Sequence, residues 1–165
     1  MALSERQISE YLHRSYTAVD GLWFMKLEER FGFDTALALD QAVWGVLPKI
    51  QARKLKELTG RRQGLEDLRY CFGLKLELDG FRFTIEALDQ GDGFRVITER
   101  CPWHEKMIAA GRTDLSGNVG DCICPTEYGV WAEEFGPGIV FDLGERLCDG
   151  HRRCILTFES ASRAG

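Results

Sequence analysis

Proline is scarce in this chain, with 4 residues in 165, and histidine is scarcer, with 3. No apolar run approaches the ~20 residues that a bilayer-spanning helix needs, so no membrane partner is expected. The opening residues, Met1 to Arg6, place no apolar stretch behind a basic end, so no secretory leader is expected either. Basic residues are not in excess: 21 Lys and Arg stand against 26 Asp and Glu, for a formal net charge of −5. That balance argues against nucleic acid as the main partner. No low-complexity segment and no clear linker interrupts the chain. The expectation is a single cytoplasmic domain over residues 1–165, helical over 1–72 and mixed over 73–165. In a reducing compartment the six cysteines read as thiols, metal ligands or core residues rather than structural disulfides.

The periodicity changes halfway along the chain. Ser4 and Gln7 have capping-box spacing for a first short helix. Val19, Trp23, Leu27 and Phe31 recur every four residues, an apolar stripe expected to face the core of a second helix. Asp34 starts a third helix running toward Leu58, and Pro48 should kink or split it near Leu47. A fourth covers Leu65 to Phe72, while Leu74, Leu76 and Leu78 fit either a strand or a helix end. Phe81, Phe83, Ile85 and Ala87 then alternate with polar residues, which is strand behaviour. Asp89 to Gly93 reads as a turn, Phe94 to Arg100 as the return strand, and Pro102 to Ala110 as a short helix. Arg112 to Asp121 reads as a polar loop and Pro125 to Phe135 as another short helix. Ile139 to Phe158 reads as a second hairpin closed by a two-residue type I′ turn at Asp149-Gly150. The expected class is α+β, with N-terminal helices packed on an antiparallel sheet made of two hairpins joined by two short helices.

The chemistry gathers between Cys101 and Glu127. Cys-Pro occurs twice, at Cys101-Pro102 and Cys124-Pro125, and proline favours the first helical position, which puts each cysteine at an N-cap. A thiol there feels the positive end of the helix dipole, which favours thiolate. His104 and Glu127 each follow a cysteine by three residues, on one helix face. Cys101, His104, Cys122 and Cys124 therefore form a candidate metal-binding set of zinc type. An all-thiolate set of Cys101, Cys122, Cys124 and Cys154 would suit iron or an iron–sulfur cluster instead. Zinc is the first expectation. Glu127 is the candidate catalytic acid, with Cys101 or Cys124 as nucleophile and His104 as base if the site is a hydrolase. Cys148 and His151 flank the expected turn at an exposed tip, and Cys154 faces inward from the same strand.

These residues carry a family resemblance. A strand ends in Cys101-Pro102; Cys124 is followed at three residues by Glu127; and Gly150-His151-Arg152-Arg153-Cys154 leads into Ile155-Leu156-Thr157-Phe158. Over roughly residues 81–158 this order resembles the aminothiazoline-carboxylate hydrolase-like proteins. More distantly it is similar to the small-molecule-binding domains of the bacteriochlorophyll vinyl-reductase type. His104 and Cys122 are additions to that pattern, and Glu127 stands where an aspartate is more usual. The resemblance implies an interior small-molecule or metal site near the cysteines and adds weight to Cys154 as a ligand. Three functions follow as expectations: a metal-binding protein beside a small-molecule pocket, a cysteine- or metal-dependent hydrolase of a small cyclic amide-like substrate, and a non-catalytic ligand-binding or sensory domain. A small-molecule ligand and a homodimer are the expected partners.

Overall fold

A computed structural model describes residues 2–88 and 92–161. The chain folds as two compact units, residues 1–42 and 43–165.

The first unit is dominated by α1 (Glu5–Phe31), a single helix of 27 residues. The capping box forms as expected, with the Gln7 N–H on the Ser4 hydroxyl at 3.3 Å and the Ser4 N–H on Gln7 Oε1 at 2.9 Å. Two helices were expected here, but nothing between them breaks the pattern. Thr17, which could have competed with the helix, returns its hydroxyl to the carbonyls of His13 and Arg14 at 3.0 and 3.2 Å. Gly32, at φ +85°, ends α1, and α2 (Phe33–Trp44) follows it. Phe24 meets Phe33 edge-on across that turn. The four-residue stripe does not face a core: Val19, Trp23 and Phe31 are each more than half exposed.

In the second unit the helix ahead of Pro48 splits as expected, and α3 (Leu47–Thr59) begins with that proline in its first turn. The segment that fitted either strand or helix belongs to α4 (Leu65–Leu78), which places Leu68, Cys71, Phe72, Lys75 and Leu76 on its buried side. β1 (Arg82–Ala87) and β2 (Gly93–Arg100) form the first antiparallel hairpin; the turn residues 89–91 lie outside the described residues. α5 (Pro102–Ala109) is capped by Cys101, as expected.

α6 (Thr113–Phe135) departs most from the sequence reading. The stretch Arg112 to Asp121 is not a loop: helix starts at Thr113 and runs through Cys122, Cys124 and Pro125 without a break. Pro125 is thus an interior helix residue, and its missing N–H leaves the Asp121 carbonyl without its usual helical donor. β3 (Ile139–Leu143) and β4 (Cys154–Ser160) complete a four-stranded antiparallel sheet in the order β1-β2-β4-β3. The two hairpins are therefore joined through β2 and β4, whose register pairs Thr98 with Cys154 and Phe94 with Phe158.

The fold class is α+β, with helices on one face of the antiparallel sheet. Phe94, Val96, Leu156 and Phe158 point from the sheet into a core shared with α3, α4 and α6. Phe72 of α4 is its hub, in edge contact with Tyr128, Trp131 and Phe158 at centroid distances of 5.9, 5.4 and 5.4 Å. The aromatic cluster fixes which face of α6 meets the sheet, and hence which of its cysteines face inward.

Candidate functional site: a buried charge cluster among thiols

Lys75 projects from the apolar side of α4 and is only 3 % exposed. Its ammonium lies 2.5 Å from Glu127 Oε1 on α6 and 3.3 Å from Asp79 Oδ2, one helical turn further along its own chain. Both carboxylates are buried as well. At these distances one ammonium bridges two carboxylates, each within hydrogen-bonding range of it. The Phe81 and Phe72 rings flank the ammonium at 5.1 and 5.8 Å, within cation–π range. Burial works against the charge on Lys75, but the two carboxylates outweigh it and raise its pKa above the usual lysine value. Neither Lys75 nor Asp79 was singled out in the sequence. The one available signal was the i, i+4, i+8 row Cys71, Lys75, Asp79, which becomes a row only once this stretch is helix rather than strand.

The thiols gather around Cys124, which is close to Glu127. Cys124 lies within electrostatic range of Glu127, Cys101, Cys148 and Cys154, and Cys101 within range of Cys154 and Lys75. Cys154 shares the inward face of β4 with Leu156 and Phe158, as expected, and accepts the Leu147 N–H at 3.2 Å. Cys122 points to a different side of α6 from Cys124. It was read as a neighbour of Cys124 on a loop, but two residues along a helix point to opposite sides, and the Cys124 side faces the sheet.

Cys148, read as an exposed residue, lies within electrostatic range of Cys124. Asp149-Gly150 is not a two-residue hairpin turn; residues 144–153 form a longer connection carrying a 3-10 turn at Leu147–Asp149. Arg146 ties this connection to α6 through Asp121 at 2.5 Å and braces it internally through Asp149 at 2.7 Å. Cys148 is thereby laid onto α6 rather than left at an exposed tip. A Cβ on Gly120 would stand 2.6 Å from Cys148 Sγ, so glycine is required for the approach. His151 remains exposed, as expected.

His104 is directed elsewhere: its Nδ1 is 2.8 Å from the Ser116 hydroxyl on α6. Among the described residues, no group of three His, Cys, Asp or Glu side chains is arranged to hold a metal ion. The helix-dipole argument for thiolates has the right sign at Cys101, where the His104 and Trp103 N–H groups favour the charged form, but burial is stronger and pushes the thiol up to about 11. Burial, then Glu127 and the neighbouring thiols, pushes Cys124 further in the same direction. Cys154 and Cys148 are raised too, chiefly by burial. These are neutral thiols at physiological pH.

An α+β domain with a charged, thiol-lined interior is thus defined by α4, α6 and the inner face of the sheet. The family model for DUF6125, a family of unknown function, matches residues 3–100, more than half of the chain, and the chain belongs to that family. The match spans Lys75 and Asp79 and ends just before Cys101. No curated protein matches the chain. Among solved structures, it is similar to the phenol-responsive sensory domain of the transcription activator PoxR with phenol, at 14% identity over 88% of this chain and 74% of that one, with a TM-score of 0.48. A likeness of that size assigns no function. Among the described residues, no helix is long and apolar enough to cross a membrane.

Two results are expected. Lys75→Met strands two buried carboxylates and should lower unfolding stability by about 3–5 kcal/mol in urea titrations; a change below about 1 kcal/mol would show that the ammonium does not compensate them. In the metal-free protein, burial holds the Cys101 thiol protonated more firmly when folded than when unfolded. That stabilisation is whole below pH 9.0 and is lost as pH rises through about 11. The melting temperature should therefore fall between those values, whereas a flat profile there would contradict the burial of Cys101.

Proposed function

We propose that residues 43–165 form a non-catalytic ligand-binding domain whose interior site is centred on Lys75, Asp79 and Glu127. The observation that supports this reading is the buried ion cluster itself. Each of its three charged groups would be costly alone in the core, and a single ammonium serves both carboxylates. Two carboxylates against one ammonium leave the cluster negative. Its natural complement is a small molecule that presents a hydrogen-bond donor or a positive charge and rests its apolar body on the surrounding aromatic rings. A sensory role fits such a site, because a ligand that binds the folded state alone stabilises it.

The hydrolase chemistry implied by the sequence resemblance is less well supported. A cysteine nucleophile needs its thiolate and a nearby base. Burial keeps Cys101 and Cys124 neutral, and the His104 ring is engaged with Ser116.

A second reading, a soft divalent metal on the thiols, is favoured by the grouping of Cys101, Cys124, Cys148 and Cys154 around α6. Zinc suits sulfur donors, with iron as the alternative. The side chains would have to rotate to form a coordination shell and lose their protons on binding.

Two measurements separate the readings. Calorimetry with a panel of small amines and phenols should find one saturable ligand, with affinity reduced at least about tenfold in Glu127→Gln. Equal affinity in the variant would sink the ion-cluster site. Elemental analysis of untagged protein addresses the metal: about one zinc per chain, lost in Cys124→Ser and Cys154→Ser but kept in Cys122→Ser, would support the thiol site. Metal retained in Cys124→Ser would refute it.

A further inference from the structure

α1 exposes an apolar face. Ile8, Leu12, Val19 and Trp23 are 44 %, 59 %, 53 % and 65 % exposed, and at 100° per residue they fall within one narrow stripe. Tyr11 and Leu22 widen the stripe on one side and are 67 % and 57 % exposed. From Ile8 to Trp23 the stripe carries no charged residue and runs about 22 Å at 1.5 Å per residue. Isolated exposed apolar residues are ordinary, but a continuous stripe of this length marks an interface. A shallow hollow bordered by Ile8, Leu12 and Tyr16 lies on the same face and could receive a side chain from a partner.

The ends of the stripe say which partner. Glu5 lies at its N-terminal end and Lys26 at its C-terminal end, so the face is negative at one end, neutral in the middle and positive at the other. Lys26 is 66 % exposed and pairs with Glu29 of its own helix, a surface pair that exchanges readily. A nucleic acid or an anionic membrane would need a basic face, and this one has none. A second copy of the same face, turned end for end, supplies an apolar stripe of the same length with the opposite charge at each end.

We infer that the protein forms a two-fold symmetric dimer through antiparallel pairing of its α1 helices. In this pairing Glu5 of each copy meets Lys26 of the other, and the Leu12 and Val19 region of each packs on the same region of its partner. The interface is isologous, so both stripes are covered at once. A parallel pairing would stack Glu5 on Glu5 and Lys26 on Lys26, and like charges oppose it.

The test uses the full chain in sedimentation equilibrium. A dimer is expected at about 50 μM chain, and the Leu12→Asp, Val19→Asp variant should be monomeric at that concentration. Far-ultraviolet circular dichroism and the melting temperature of that variant check that residues 43–165 stay folded. The charge variants disturb no packing and probe the direction of pairing. Lys26→Glu alone should weaken the dimer about tenfold, and Lys26→Glu combined with Glu5→Lys should restore it. A wild-type monomer overturns the inference, whether the face is then covered by other parts of the chain or by a different protein. So does a dimer that survives Leu12→Asp, Val19→Asp, or a charge reversal that Glu5→Lys fails to rescue.

Discussion

The interior of the second unit depends on one ion contact, that of Lys75 with Glu127. It joins α4 to α6 across the middle of the core, where a lone charge would be driven to neutralise. Because the partners come from different helices, the contact constrains how the two lie on the sheet. Phe72 sits one turn before Lys75, and Tyr128 follows Glu127 directly. The aromatic cluster and the ion cluster are therefore two parts of one helix–helix interface, one apolar and one charged. The pair is not a strong source of net stability, since well-packed apolar residues can replace such pairs at little loss. Its physical effect is to set a polar centre inside an apolar shell.

Burial governs the thiols. Cys101, at a helix start, would be poised toward thiolate in water, but here its burial opposes the charge; Cys124, in the interior of α6, is opposed by burial and by the neighbouring Glu127 carboxylate. The fold also explains one glycine of α6. Gly120 costs helix stability, yet it lets the 144–153 connection lie close enough to bring Cys148 against the helix. Arg146 holds it there. A connection that reads as a short polar hairpin end becomes part of the wall around the interior.

Much was legible in advance. Alternation of apolar and polar residues identified β1, β2 and β4, and a strand has only two faces, so the inward direction of Cys154 followed from its parity with Leu156 and Phe158. Proline chemistry placed the split before α3 and the cap of α5. Fold class followed from the order of these elements. The failures were equally physical. Arg112 to Asp121 is rich in glycine and small polar residues that favour loops in isolation, and packing against the sheet and the Cys148 connection overrides that preference. Once the loop became helix, Cys122 and Cys124 separated to opposite sides, and the four-ligand set read from spacing no longer existed.

Local rules thus determined which segments are helix or strand wherever a period of 2 or 3.6 was strong, and which residues cap them. They picked out Cys101 and Cys124, which the fold brings within electrostatic range of each other. Only tertiary packing decided that Lys75, Asp79 and Glu127 share one buried space, because they lie on two helices whose contact is made through Phe72, Tyr128 and Trp131. Only tertiary packing decided that Cys148 joins the thiols. Charge, burial and proximity are properties of the assembled interior, and no spacing along the chain encodes them.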